Sequence, residues 1–257
     1  MLYFGSFNPI HRGHIALAEW VVAHDLCDEM ALIVSPQSPY KQDASLAPEI
    51  DRFELAEIAC RTSAYPERIK PSVIEFLLPK PSYTIDTLDY LVEHYGDTCT
   101  FSLLMGADQL ERLEGWKAWE RLLDYPLYVY PRRGSEIPEP LSGSITLLEE
   151  APLFDISATE VRRRLTAGEP TDELLHPEVA ASIRQRNLWP AVAASGAAAV
   201  SRLLDEGREH YQNNRWGEAL NAFNRVLQLD AGQTEARQYV EMIQEILAFR
   251  YTDIYNP

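Results

Sequence analysis

The sequence predicts an α/β fold with a doubly wound parallel sheet and a smaller all-α appendage. Three observations carry this. Short apolar runs alternate with amphipathic stretches of roughly 10–15 residues, the signature of βα units. The runs lead into turns rich in Gly, Ser, Pro and Asp. The 257 residues, 46% of them hydrophobic, suffice for one such domain of about 190 residues and a second, smaller unit.

Each element can be justified in order. Leu2, Tyr3 and Phe4 read as the end of a buried strand, turned by Gly5 and Ser6 in the stretch GSFNPIHRGH. From Gly13, HIALAEWVV is apolar at helical spacing through Ile15, Ala18, Trp20 and Val22. Met30–Ser35 predicts a second strand, followed by the loop PQSPYKQ. Pro48 then opens a helix with Phe53, Ala56 and Ala59/Cys60 facing inward. Ile69–Phe76 predicts a strand. Ser82 caps a helix carrying Ile85, Leu88 and Leu91 and ending at Gly96. Phe101–Met105 is the next strand, running into Gly106 and Asp108. A helix with Trp116 and Trp119 follows, then a strand at Leu127–Tyr130 and another near Ile145–Leu148. ISATEVRRRL and HPEVAASIRQRN complete this part as helices.

The boundaries follow: residues 1–189 as the α/β domain, 190–200 as a small-residue linker that could also begin a helix, and 201–257 as a helical extension. In the extension two amphipathic helices meet at Asn213–Trp216 and fit the tetratricopeptide repeat of roughly 34 residues. Gly207, Tyr211, Ala219, Phe223 and Leu227 fall at its packing positions. A third helix near 233–249 helps cap the unit, because a single repeat rarely buries enough surface alone. The extension points to self-association or a protein partner.

Composition removes several function classes. A net charge of −16 opposes nucleic acid and anionic membranes. No apolar run spans a bilayer and no leader is visible. Cys27, Cys60 and Cys99 lack metal-ligand spacing and read as reduced thiols, which suits the cytoplasm. GxGxxG and GxxxxGK[ST] are both missing, so any phosphate site is of another kind.

Two stretches carry chemistry. His11 and His14 share a face if a helix begins near Pro9, and its first turn offers free N–H groups to an anion. A cap or solvated side chain is the competing reading. In ISATEVRRRL, Ser157 with Glu160 satisfies a capping box. Ser157, Thr159 and Arg162 at one helix start also suit polyphosphate oxygens. Both readings stand for each stretch.

Together, GSFNPIHRGH and ISATEVR resemble the paired signatures of the HxGH nucleotidyltransferase superfamily, with Ala158 where Ser is usual. SPYK (Ser38–Lys41), PSYTIDTL (Pro81–Leu88), MGADQL (Met105–Leu110), Trp116 and Arg132 are similar to motifs of the bacterial nicotinate-mononucleotide adenylyltransferase family. The resemblance spans residues 1 to about 189 and implies a Rossmann-like sheet. It also implies transfer of the adenylyl group of ATP to nicotinate mononucleotide, with Mg²⁺ carried mainly by the ATP phosphates and no metal site on the protein. His11 and His14 would then donate to α-phosphate oxygens, and Arg162, with Ser157 and Thr159, would hold the β- and γ-phosphates. Gly5, Ser6, Phe7, Lys41, Gly106 and Asp108 would contact ATP. Tyr83, Thr84, Trp116 and Arg132 would bind the mononucleotide, the helix start favouring its carboxylate and Trp116 stacking on its ring. Trp116 and Trp119 as core aromatics, Asp108 as a cap, and Arg132 with Arg133 as a solvated pair are the alternatives.

Tyr40 stands where the family loop has His. The first strand is short, which points to an upstream start or a trimmed chain. A nicotinamide-mononucleotide or dual-specificity adenylyltransferase is the runner-up, and a nucleotide-sensing assembly module acting through the helical extension is the alternative of another class.

Overall fold

The computed structural model describes residues 1–36, 46–135, 143–191 and 196–253. Six strands form one parallel sheet: β1 (Leu2–Gly5), β2 (Met30–Val34), β3 (Ile69–Ser72), β4 (Leu103–Gly106), β5 (Leu127–Tyr130) and β6 (Ile145–Leu147). Their order across the sheet is β3-β2-β1-β4-β5-β6, and every neighbouring pair is parallel. The winding reverses between β1 and β4, where Leu2 and Tyr3 register with Leu103 and Leu104. In open α/β sheets a crevice forms beyond the carboxyl ends of strands at such a reversal. Gly5 and Gly106 end those two strands.

Alternation along the strands sends side chains to opposite faces. Tyr3, Leu32 and Leu104 join one core with helices α1 (Arg12–Ala23), α2 (Glu49–Arg61), α6 (Ala158–Ala167) and α7 (Pro177–Gln185). Leu2, Ile33, Leu103 and Met105 join a second core with α3 (Thr84–Tyr95), α4 (Ala107–Leu110) and α5 (Trp119–Leu122). Helices therefore cover both faces, as expected.

Three predicted elements differ. The strand foreseen over 69–76 stops at Ser72, and Ile74–Phe76 is a 3-10 turn. Glu75 is buried there and accepts a hydrogen bond from the Thr87 hydroxyl at 3.1 Å, a side-chain contact replacing strand pairing. Pro71 is tolerated because β3 lies at the sheet edge. The Trp116–Trp119 helix breaks after Gly115: Leu113–Gly115 is a 3-10 turn, Trp116 is extended, and α5 starts at Trp119. The cap of α3 is Tyr83, with Ser82 one residue outside and its buried hydroxyl unpaired among the described residues.

Beyond residue 195 lie α8 (Gly196–Gln212), α9 (Trp216–Leu229) and α10 (Thr234–Asp253). The last residues of the proposed linker are thus the first turn of α8. Ala219 and Phe223 are buried, and a Cβ on Gly207 would come within 2.7 Å of the Phe223 ring, so glycine lets α8 and α9 close together. Phe223 also stacks on Tyr239 of α10, with centroids 4.4 Å apart. These helices meet the α/β part through α9, where Asn221 donates to the buried Asp51 carboxylate on α2. Arg186, just after α7, donates to the same carboxylate at 2.9 Å. No described helix is long and apolar enough to cross a membrane.

Candidate active site

β1 delivers the chain to a tight turn. Phe7 has φ of +43°, an uncommon left-handed conformation for a bulky residue. Its buried ring folds back over the strand end, meeting Tyr3 and His14 edge-on at 5.6 and 5.1 Å. A Cβ on Gly5 would approach that ring to 2.9 Å. The close approach at Gly5 is therefore made by Phe7.

His11 is the N-cap of α1 and His14 its third residue, so the helix starts three residues later than Pro9 suggested. The shared face survives, and the imidazoles stack with centroids 3.6 Å apart. His14 Nδ1 accepts the His11 backbone N–H at 3.2 Å, which leaves the ring proton on Nε2. Burial pushes the His11 imidazole down to about 3, with the Arg132 charge adding to this. Burial also holds His14 well below the ordinary histidine range, helped by His11 and Arg132. Both rings are neutral at pH 7, and His11 Nδ1 is buried without a partner among the described residues. The cap position and a stacked ring pair that lines a cavity coexist here.

Both histidines line a cavity of about 570 Å³. Tyr3 and Tyr130 sit at its floor with their hydroxyls 3.3 Å apart. Arg132 Nε pairs with Asp108 at 3.2 Å on the wall, and Ser157 is present as well. Gly106 makes room for that pair, since a Cβ there would lie 2.4 Å from Asp108 Oδ1. Arg132 and Arg133 both line the cavity. Arg133 pairs with Asp155 at 2.9 Å, where both side chains are largely exposed.

The second signature is physically joined to the first. Arg162 Nη1 donates to the Asn8 carbonyl at 2.7 Å, across 154 residues of sequence. Its Nη2 lies 3.4 Å from Thr159 Oγ1. Ser157 caps α6 by accepting from the Glu160 N–H at 3.1 Å. Glu160 does not complete the box: its carboxylate pairs with Arg163 and Arg164, both at 2.8 Å. So the three consecutive arginines divide between a surface ion-pair cluster and one residue that reaches the histidine turn.

Tyr83, Thr84 and Trp116 are not in this cavity. Tyr83 and Trp116 pack half-buried against the other core, and Lys117 lies 4.8 Å over the Tyr83 ring. Ser6 and Arg162 do not line the cavity, and Lys41 falls outside the described residues. Tyr3, Tyr130 and Phe154 line the cavity without having been singled out. For Tyr3 and Tyr130, a tyrosine in an otherwise apolar strand was the available signal. Among the described residues no cluster of three or more His, Cys, Asp or Glu could hold a metal ion.

Residues 2–164 match the cytidylyltransferase-like family. Relatives named "Probable nicotinate-nucleotide adenylyltransferase" include those of Cytophaga hutchinsonii and Bacteroides thetaiotaomicron. They are 39% and 37% identical to this chain, covering 73% and 72% of it and 96% and 90% of themselves. Among solved structures, the Plasmodium falciparum nicotinic acid mononucleotide adenylyltransferase complexed with NaAD is similar with a TM-score of 0.61. It covers 73% of this chain and 95% of its own at 19% identity, a likeness of fold. The chain belongs to the cytidylyltransferase-like family, in the company of the nicotinate-nucleotide adenylyltransferases.

Proposed function

We infer that this protein transfers the adenylyl group of ATP to nicotinate mononucleotide, releasing pyrophosphate and deamido-NAD, a step of NAD biosynthesis. The stacked, neutral His11–His14 pair on the cavity wall, on a turn whose Asn8 carbonyl accepts from Arg162, is the observation that carries it. The mononucleotide phosphate is already a nucleophile, so no general base or covalent intermediate is required. One of its oxygens attacks the α-phosphorus as the bond to pyrophosphate breaks. What the protein supplies is alignment and stabilisation of charge in flight.

In this reading the His11 and His14 N–H groups donate to α-phosphate oxygens. Arg162, Ser157 and Thr159 at the start of α6 bind the β- and γ-phosphates, with Lys41 as a further cation. Gly5, Ser6, Phe7, Gly106 and Asp108 shape the ATP side, Asp108 accepting from ribose hydroxyls. Tyr83, Thr84, Trp116 and Arg132 take the mononucleotide, the α3 N-terminus favouring its carboxylate. Mg²⁺ would be held mainly by the ATP phosphates, where it would neutralise part of their charge. The donor set fits that role, since the cavity's carboxylates Asp108, Asp155 and Glu160 are each engaged by arginine: Arg132, Arg133, and Arg163 with Arg164.

Residues 1–189 form the catalytic unit and 201–257 a single tetratricopeptide-like unit for a protein partner or a second copy, joined by 190–200, whose residues from Gly196 on already belong to α8. The α8–α9 packing at Gly207 and Phe223 supports that reading. Three free cysteines, one of them exposed, support a cytoplasmic location.

Pyrophosphate release from ATP and Mg²⁺ with nicotinate mononucleotide, nicotinamide mononucleotide or phosphopantetheine tests the assignment. Turnover with the first, and a product of the mass of deamido-NAD, is expected. Equal turnover with the amide would replace it by dual specificity, and silence with all three would overturn it.

A further inference from the structure

Arg52 has none of its surface exposed, 0%, yet it is no part of the cavity wall. Among the described residues its guanidinium makes no hydrogen bond to a carboxylate. It donates instead to four backbone carbonyls: Ser6 at 2.6 Å, Ser35 at 2.7 Å, and Pro36 and Ala47 at 2.8 Å each. Burial pushes this guanidinium down to about 10, with Glu49 and Asp51 opposing. These carbonyls come from three separate segments: the turn after β1, the exit of β2, and the residues before α2. All lie beyond the regular ladders, so each needs another donor if it is to be buried. Filling the same volume with an apolar side chain would leave them unpaired.

The bracket continues toward the site. The Ala47 N–H donates to Asn8 Oδ1 at 3.0 Å, and the Asn8 carbonyl receives Arg162 Nη1. Asn8 is itself buried and lies three residues before His11. A continuous chain of hydrogen bonds thus runs from Arg52 through Ala47 and Asn8 to Arg162, enclosing the turn between β1 and α1. Pro36 and Ala47 also flank the sequence that carries Lys41. A planar fork with five donors can join divergent acceptors in this way, and an ammonium cannot.

We propose that Arg52 is a positioning residue for adenylyl transfer, holding the Ser6–Asn8 turn, and with it His11 and Arg162, in register for ATP. This rests on the adenylyl-transfer reading. Arg52→Lys keeps the charge and Arg52→Met keeps the bulk, and neither can bridge four carbonyls. Both should lower kcat/KM for ATP at least tenfold while the KM for nicotinate mononucleotide stays within twofold. In Arg52→Ala, millimolar guanidinium ion should restore activity several-fold, and an equal concentration of urea should not. A merely structural role would lower the unfolding temperature and leave the kinetics of the folded protein unchanged. Wild-type kcat/KM for ATP in a folded Arg52→Lys protein overturns the proposal. If neither Arg52 substitution folds, Asn8→Ala cuts the same bracket at its far end, and wild-type kinetics there overturns it equally. A wild-type protein inactive with every acceptor would instead refute the adenylyl-transfer reading. ATP binding measured by calorimetry then decides for Arg52, a tenfold loss in Arg52→Lys supporting it and an unchanged affinity overturning it.

Discussion

Replacing His14 by alanine should cost turnover and leave ATP binding nearly intact. His14 Nδ1 is occupied by the His11 backbone N–H, so its ring offers one donor, Nε2–H. The ring is neutral, so it contributes a dipole and no full charge in the free protein. Loss of one preorganised donor to charge that develops in the transition state typically lowers kcat by about 10²–10³, or ~3–4 kcal/mol. In the proposed reading ground-state ATP is held by other groups, so its KM should move by no more than a few-fold. The substitution also removes an acceptor at the start of α1, worth about 1 kcal/mol of stability by analogy with other caps. Thermal unfolding measured alongside steady-state pyrophosphate release separates the two effects. A folded His14→Ala protein with kcat within threefold of wild type would refute the reasoning. So would an ATP KM that absorbed the whole loss.

Three further outcomes follow from the same geometry. The folded His11 imidazole protonates near pH 3 against 6.5 for a free one. Between those values the unfolded chain binds the extra proton, so stability falls as pH drops, by about 2 kcal/mol from this residue at pH 5. The unfolding temperature should fall between pH 7 and pH 5, and less so in His11→Asn, while kcat/KM shows no free-enzyme histidine step between pH 6 and 8. Gly106→Ala places a methyl 2.4 Å from Asp108 Oδ1 and must displace the Asp108–Arg132 pair. It should raise the KM for ATP and cost roughly 1–3 kcal/mol of stability, read by kinetics and urea unfolding. Arg186→Ala strips the buried Asp51 of its cation, leaving it only Asn221 among the described residues, and frees Glu54 as well. Because Arg186 is a third exposed, the loss should sit near about 3 kcal/mol, the low end for a broken buried pair. A change below about 0.5 kcal/mol would show that α9 does not depend on this contact.

Much of this was legible in the sequence because it depends on local pattern. The strand at Met30–Val34 is an apolar run bounded by turns, and His11 and His14 are neighbours through helix geometry alone. What stayed hidden depends on tertiary partners. The three arginines of RRRL are indistinguishable in sequence, yet only Arg162 has a carbonyl within reach on the histidine turn. Arg52 reads as one charge on a surface helix until the carbonyls of Ser6, Ser35, Pro36 and Ala47 converge on it. Gly5 is a turn residue in sequence, and the ring it admits is seen only when Phe7 folds back. The docking of Asn221 on Asp51 joins residues 170 apart and has no local signature.

The α-phosphate itself offers the most direct test. ATP labelled at that phosphate is mixed with the protein, Mg²⁺ and nicotinate mononucleotide and quenched within a single turnover. Label should pass in one step into deamido-NAD, with none held on the protein at any time. In His14→Ala the same step should slow by about 10²–10³. Label trapped on the protein before the dinucleotide forms, or transfer at an undiminished rate in that variant, would contradict direct attack within the histidine-lined cavity.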